Sequence, residues 1–126
     1  MKSIDDITKD VIGLSMRVHT ALGPGLFETV YETVLAGKLF EMGYQIERQA
    51  PVNIEFEGTN FSNAFKLDLF IDKRLVVEIK SVEHINPLHA KQLLTYLRLM
   101  NQPVGLLINF GGLSLKDGIK RVVNNY

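Results

Sequence analysis

The spacing of apolar residues changes period part-way along the chain, and this change constrains the fold more than any other feature. Over residues 3–22 apolar side chains recur at steps of three and four, which predicts a helix with one buried stripe. Gly and Pro at residues 23–25 must end it, and a second helix is predicted over residues 26–42, before Gly43. Residues 52–56 instead alternate apolar and polar, as a half-buried strand does. The sequence therefore predicts an α/β chain.

The rest of the chain continues this pattern of separate helical and strand segments. Two more strands are predicted at residues 64–71 and 75–81, then a helix from Asn86-Pro87 to about Met100, then a buried strand at residues 104–108. Residues 114–126 suit either a short helix or a strand. Four apolar residues of the second helix are expected to face the core: Phe27, Val30, Val34 and Leu35.

Length and charge limit the classes of protein that this chain can be. At 126 residues, with 46% hydrophobic residues, residues 1–126 fit one domain. No apolar run approaches the ~20 residues that cross a bilayer, and acids stand where a signal peptide carries bases, so we expect a cytoplasmic protein without membrane contact. Without Cys, disulfides and thiolate metal sites are excluded. The 14 basic residues only balance 14 acidic ones, so nucleic-acid binding would need a local patch, a metal ion or a partner subunit.

One acid-x-Lys triplet, Glu78-Ile79-Lys80, stands out within an apolar strand. One such triplet is expected by chance in roughly every two or three chains of this size, so its context matters more than its presence. Val76, Glu78 and Lys80 project to one face of the strand, and the residues between them project to the other. An acid and a lysine on a largely buried strand need partners, because desolvation of their charges is unfavourable.

Asp68 can supply that partner if the neighbouring strands form a hairpin with a three-residue loop at residues 72–74. This register places Asp68 opposite Glu78, ~4.5–5.5 Å apart at Cβ, whereas a two-residue loop would put them on opposite faces. Two such close carboxylates repel each other unless they are protonated or bridged by a cation. Oxygen ligands favour Mg²⁺ or Mn²⁺ over zinc. The alternative is an exposed hairpin whose charges form solvated pairs of little energetic value.

Residues 25–31, GLFETVY, resemble the signature of the GxxExxY proteins, a family of the PD-(D/E)xK nuclease superfamily. The resemblance runs nearly end to end, through residues 18–19, 22–25, the Asp68 strand, 78–80, 92–97 and 105–111. It implies an αβββαβ core in which a mixed central sheet is flanked by helices, with the first helix of this chain as an addition.

The resemblance also implies roles for individual residues. Asp68 matches the aspartate of the motif, although Leu67 replaces the nominal proline, and residues 78–80 match E-x-K. Glu28 matches an acid that related nucleases direct at the metal from the first core helix. Gln92 and Tyr96 match a Q-x-x-x-Y pattern that orders the site. The implied metal ligands are Glu28, Asp68, Glu78 and the Ile79 carbonyl, with Lys80 assisting catalysis.

Several of these residues have simpler interpretations. Tyr31 and Tyr96 are expected to pack at the edge of the core rather than contact substrate, and Glu28 could be a solvated helix-face acid. For Gln92 we favour a role in the site. His84 and His89 could approach the site, whereas His19 is expected to cap or pack. Without Cys or a close His pair on one helix, zinc is disfavoured.

These observations predict a Mg²⁺- or Mn²⁺-dependent nuclease-like phosphodiesterase that acts on nucleic acid, with DNA favoured over RNA, through a metal-activated water. The alternative is a non-cleaving accessory module that binds metal or nucleic acid on the same fold. A homodimer is compatible with both. Positive charge near the site could come from Lys66, Lys73, Arg74, Lys91 and Arg98.

Overall fold

The structure, a computed structural model, describes residues 2–126. Within them the chain forms three α-helices, a one-turn 3-10 helix and five strands. The elements, in chain order, are α1 (Ile4–Leu22), α2 (Glu28–Glu41), β1 (Ile46–Phe56), β2 (Thr59–Ile71), β3 (Leu75–Lys80), α3 (Pro87–Met100), β4 (Val104–Asn109), the 3-10 helix (Lys116–Gly118) and β5 (Ile119–Val123). The ambiguous end of the sequence is thus mainly a strand.

The five strands form one mixed sheet in the order β1-β2-β3-β4-β5. Only β3 and β4 are parallel, and α3 makes the connection between them. From α2 to β4 the order is αβββαβ, with α1 added before it and β5 at the far edge. The predicted fold class is confirmed.

Helices cover both faces of the sheet. On one face α1 and α2 bury the larger apolar cluster, which includes Leu69, Val77 and Ile79. On the other face Leu93 and Leu97 of α3 pack against a smaller cluster. No helix within residues 2–126 has the length and apolarity needed to cross a membrane.

The buried stripe of α2 differs from the predicted one. Phe27 is 83% exposed and Val30 38% exposed, so both predictions of inward-facing residues are wrong. Val34 is partly buried and Leu35 fully buried, as expected. Apolar residues occur on several sides of this helix, so their spacing did not identify its inner face. The buried residues of the helix are Tyr31, Glu32, Leu35, Ala36 and Leu39.

The hairpin between β2 and β3 has the predicted register. Residues 72–74 form the turn, and Ile71 pairs with Leu75 and Leu69 with Val77. The ladder of paired residues ends there. One step further along the same register, Asp68 lies across from Glu78.

Candidate active site

The site begins where the pairing of β2 with β3 stops. The backbone N–H of Asp68 donates to Oε2 of Glu78 at 2.8 Å. The backbone N–H of Ile79 donates to Oδ2 of Asp68 at 2.7 Å. The two carboxylates therefore accept backbone hydrogen bonds at the point where the strand ladder is no longer continuous.

The alternation of side chains between the two faces of β2 breaks at this position. Regular alternation would place Leu67 and Leu69 on one face, but Leu67 packs in the α3-side cluster and Leu69 in the α1–α2-side cluster. The pairing of β1 with β2 also skips this point, between Arg48↔Leu69 and Ala50↔Leu67. Asp68 thus lies outside the paired positions of both neighbouring strands, and its side chain can serve the site.

Both carboxyl groups are held in an environment that disfavours their charge. Glu78 is 8% exposed, and burial together with the negative charge of Asp68 raises its pKa to about 8. Burial also raises the pKa of Asp68, although the Ile79 N–H opposes this by stabilising the carboxylate. Two adjacent acids that resist ionisation favour the binding of a positive charge between them.

Lys80 lies two residues beyond Glu78 on the same face of β3 and is partly buried. Its positive charge lowers the pKa of both Asp68 and Glu78, against the larger effect of burial. Within residues 2–126 the ammonium forms no ion pair within 4.0 Å. Lys80 therefore adds a positive charge to the site without being committed to one carboxylate.

Glu28 is the first residue of α2 and is exposed. Its negative charge contributes only weakly to the raised pKa of Glu78, and within residues 2–126 Glu28, Asp68 and Glu78 are not grouped closely enough to enclose a metal ion. Ser81, directly after β3, donates its hydroxyl to the Leu26 carbonyl at 2.6 Å. This bond ties the start of α2 to the end of the strand that carries Glu78 and Lys80.

Tyr31 orders the loop before α2 from inside the core. Its hydroxyl donates to the Gly23 carbonyl at 2.6 Å and accepts from the Leu26 N–H at 3.1 Å. Its ring stacks on Phe110 at 4.3 Å between centroids. Gly25 takes a φ of +88° in this loop, a conformation that other residues rarely adopt. Gly25 and Tyr31 thus shape the loop that precedes Glu28.

The two predicted residues of α3 differ in their surroundings. Tyr96 is partly buried and stacks on Phe65 with ring centroids 4.1 Å apart. Burial, and then the negative charges of Glu78 and Asp68, raise its pKa. Gln92 is exposed and borders a groove of about 520 Å³ beside Tyr96, but it forms no hydrogen bond within residues 2–126 that ties it to the carboxylates.

The three histidines lie outside the acidic pair. His19 packs near Phe110, and its Nε2 lies 3.0 Å from the Gly112 carbonyl, so its expected structural role is confirmed. His89 Nδ1 accepts the Asn86 N–H at 3.3 Å in the capping box of α3. His84 is exposed beside Glu83. None of them contacts Asp68 or Glu78 in the described part of the chain.

Sequence reasoning missed two residues that contact the site, Glu32 and Gln49. Glu32 is 5% exposed, and its Oε2 accepts from Arg48 Nε at 3.1 Å. Gln49 Nε2 donates to Glu32 Oε1 at 2.6 Å and to Asp68 Oδ1 at 3.2 Å. Glu32 could have been suspected because it lies four residues after Glu28, on the same helix face. Nothing in the sequence singled out Gln49.

The acidic pair offers two carboxylates to a divalent cation. Within residues 2–126 no three His, Asp or Glu side chains are grouped closely enough to enclose a metal ion. The carboxylates of Asp68 and Glu78 each accept a backbone N–H from the other strand, and burial raises the pKa of both, so a cation would offset the cost of burying their charges. Carboxylate and carbonyl oxygens are ligands of Mg²⁺ and Mn²⁺. Asp68 and Glu78 therefore fit such an ion by their chemistry.

A family model described as the PD-(D/E)XK nuclease superfamily matches residues 5–122. Searches of curated proteins and of solved structures returned no match. The matched range extends from α1 to β5 and contains every residue of the site described above.

Proposed function

The chain belongs to the PD-(D/E)XK nuclease superfamily, and on this premise we propose that it is a divalent-metal-dependent nuclease that hydrolyses phosphodiester bonds of nucleic acid. The observation that carries the proposal is the facing pair of Asp68 and Glu78, which accept hydrogen bonds across the open end of β2 and β3 at 2.8 and 2.7 Å. Lys80 extends from the same face of β3. DNA is the proposed substrate, and GxxExxY the proposed family.

Mg²⁺ or Mn²⁺ would be held by Asp68, Glu78 and the Ile79 carbonyl, with Glu28 as a further ligand from α2. A bound cation at such a site supplies neutralisation of phosphate charge and a more acidic water. Burial, and then the negative charge of Asp68, raise the pKa of Glu78 to about 8, so this carboxyl resists ionisation in the metal-free protein. A bound cation would favour the ionised form of this carboxyl.

The remaining side chains would orient the substrate and stabilise the negative charge that develops on it. Lys80 would stabilise negative charge that develops on the phosphate or orient the attacking water, since no other group in the described chain engages its ammonium. Tyr31 would hold the loop that presents Glu28. Gln92 and Tyr96, which border one groove, would order the nucleic-acid backbone beside the site.

We further propose that residues 1–126 act as one nuclease-like domain in the cytoplasm, alone or as a homodimer.

The balance of 14 basic and 14 acidic residues supports a second candidate, an accessory module that binds metal or nucleic acid without cutting it. The two candidates differ in one observable property, which is metal-dependent cleavage.

The test is cleavage of labelled single- and double-stranded DNA and RNA with Mg²⁺ or Mn²⁺. Asp68→Asn keeps an acceptor for the Ile79 N–H but removes the charge, and Lys80→Met removes the ammonium. Each should lower the cleavage rate at least ~100-fold. Glu47→Gln and Lys9→Met make the same charge changes at exposed positions and should retain wild-type rates. Activity that survives Asp68→Asn would refute the assignment, whereas metal-dependent binding without any cleavage would support the accessory module.

A further inference from the structure

Gln49 has an unusual backbone conformation for its place in a strand. It lies within β1, yet its φ is +48°, in the left-handed region. Residues other than glycine rarely adopt this region, and Asn and Asp are the usual exceptions. The pairing of β1 with β2 is interrupted at the same point, between Ala50 and Arg48. Strained residues of this kind cluster at functional sites, where surrounding contacts maintain them.

The side-chain amide of Gln49 joins two acidic residues from different elements. Nε2 donates one hydrogen to Glu32 Oε1 at 2.6 Å and the other to Asp68 Oδ1 at 3.2 Å. Glu32 is itself held from the other side, because Arg48 reaches its Oε2 through Nε and a terminal guanidinium nitrogen at 3.1 and 3.0 Å. The guanidinium also donates to Thr33 Oγ1 at 2.8 Å. The Gln49 amide is therefore bonded to α2 through Glu32 and to β2 through Asp68.

Both oxygens of Asp68 are consequently held in place. Oδ1 accepts from Gln49, and Oδ2 accepts from the Ile79 N–H. The carboxylate has its orientation fixed by the protein alone. We propose that Gln49 is a positioning residue that holds Asp68 for metal binding, with Glu32 and Arg48 as its anchor. This inference rests on the proposed nuclease function.

The chemistry of an amide suits this task. A lysine at residue 49 would donate a hydrogen bond but would also compete with the cation for the charge of Asp68. A glutamate would place a third negative charge between Glu32 and Asp68 and could not donate. A neutral donor orients the carboxylate and leaves its charge available. Neutral hydrogen-bond donors commonly support metal ligands in this way, and their loss lowers metal affinity ~10- to 100-fold.

Two substitutions distinguish the effect of losing the side-chain amide from the effect of the strained backbone. Gln49→Leu removes the amide and keeps the strain, whereas Gln49→Gly removes the amide and adopts a φ of +48° without strain. Gln45→Leu is the control, because Gln45 is exposed and its side chain makes no hydrogen bond within residues 2–126. We would measure Mn²⁺ affinity by calorimetry, kcat and KM for cleavage at saturating metal, and hydrogen exchange of the Ile79 amide in the metal-free protein by NMR.

The expected result is an ~10- to 100-fold weaker Mn²⁺ affinity in both Gln49 variants, with kcat reduced and KM for the nucleic acid little changed. Exchange of the Ile79 amide should accelerate in both, because its acceptor becomes mobile. Gln49→Gly should melt at a higher temperature than Gln49→Leu, so that metal affinity and stability change independently.

Wild-type Mn²⁺ affinity and wild-type Ile79 exchange in Gln49→Gly would overturn the inference. If the wild type itself neither binds Mn²⁺ nor cleaves, the proposed function fails, and Ile79 exchange still decides whether Gln49 holds Asp68.

Discussion

The two ends of the β2–β3 pair differ in what their residues contribute. At the turn end the ladder is regular, and the side chains that face α1 and α2 are apolar and fully buried: Leu69, Ile71, Leu75 and Val77. At the open end Asp68 and Glu78 take backbone hydrogen bonds, and burial raises the pKa of both. One end stabilises the fold, and the other retains two acids whose charges oppose it.

This difference shows how a short hairpin can support a site that destabilises the protein. The apolar end holds the register, and the register places the two carboxylates opposite each other. A slip of one residue would put them on different faces of the sheet. Stability and function therefore depend on the same two strands but on different residues.

The largest change in stability should follow from removing the ionisable carboxyl group of Glu78 at the open end. In the folded protein burial raises the pKa of Glu78 from 4.5 to about 8. At low pH both the folded and the unfolded states carry the proton, and the full stability is present. As pH rises from 4.5 towards 8 the unfolded state loses the proton first, so the free energy of unfolding falls, by on the order of 4 kcal/mol. Glu78→Gln should abolish this loss and make the metal-free protein more stable than the wild type at pH 8.

Urea unfolding of the metal-free protein between pH 5 and 8 measures this change. Glu55→Gln is the control, because Glu55 is an exposed carboxylate of β1, and it should follow the wild-type pH dependence. If wild type and Glu78→Gln show parallel stability curves over this range, the open end does not oppose folding and the comparison of the two ends is wrong.

A smaller loss should follow from truncation at the turn end. Leu69 is 0% exposed in the α1–α2-side core, so Leu69→Ala should lower the free energy of unfolding by roughly 3 kcal/mol through lost burial and a cavity. Leu113→Ala is the matched control: Leu113 is 96% exposed, and its truncation should change stability by less than about 0.5 kcal/mol. Equal stabilities of the two variants would show that the turn end does not carry the stability assigned to it.

Much of the fold followed from local patterns. The period of the apolar residues predicted the order helix, helix, three strands, helix, strand, and the family resemblance implied that all but the first helix form an αβββαβ core. The odd loop at residues 72–74 fixed which residues of β2 and β3 share a face, and Asp68 and Glu78 do lie across from each other. The inner face of α2 was not predictable, because apolar residues occur on several sides of that helix. Phe27 lies just before the helix, at its N-cap, and is exposed.

The contacts around the acidic pair could be predicted only in part. Residues joined by strand register or by helix spacing leave a pattern in the sequence. Gln49 reaches Asp68 through a left-handed backbone at φ +48°, which a glutamine does not signal. Tyr31 belongs to the segment 25–31 that carries the family resemblance, but its position under the Gly23 loop depends on stacking with Phe110, a residue far along the chain. Such long-range contacts become visible only in the folded structure.

The most direct test of the account is the position of a bound cation. In crystals of the wild type grown with Mn²⁺, anomalous diffraction should show one peak at about 2.1 Å from oxygens of both Asp68 and Glu78. The peak should be absent from crystals of Glu78→Gln grown in the same way. A wild-type map without a peak between the two carboxylates, or with its only peak elsewhere, would contradict the assignment of a metal site to the open end of β2 and β3.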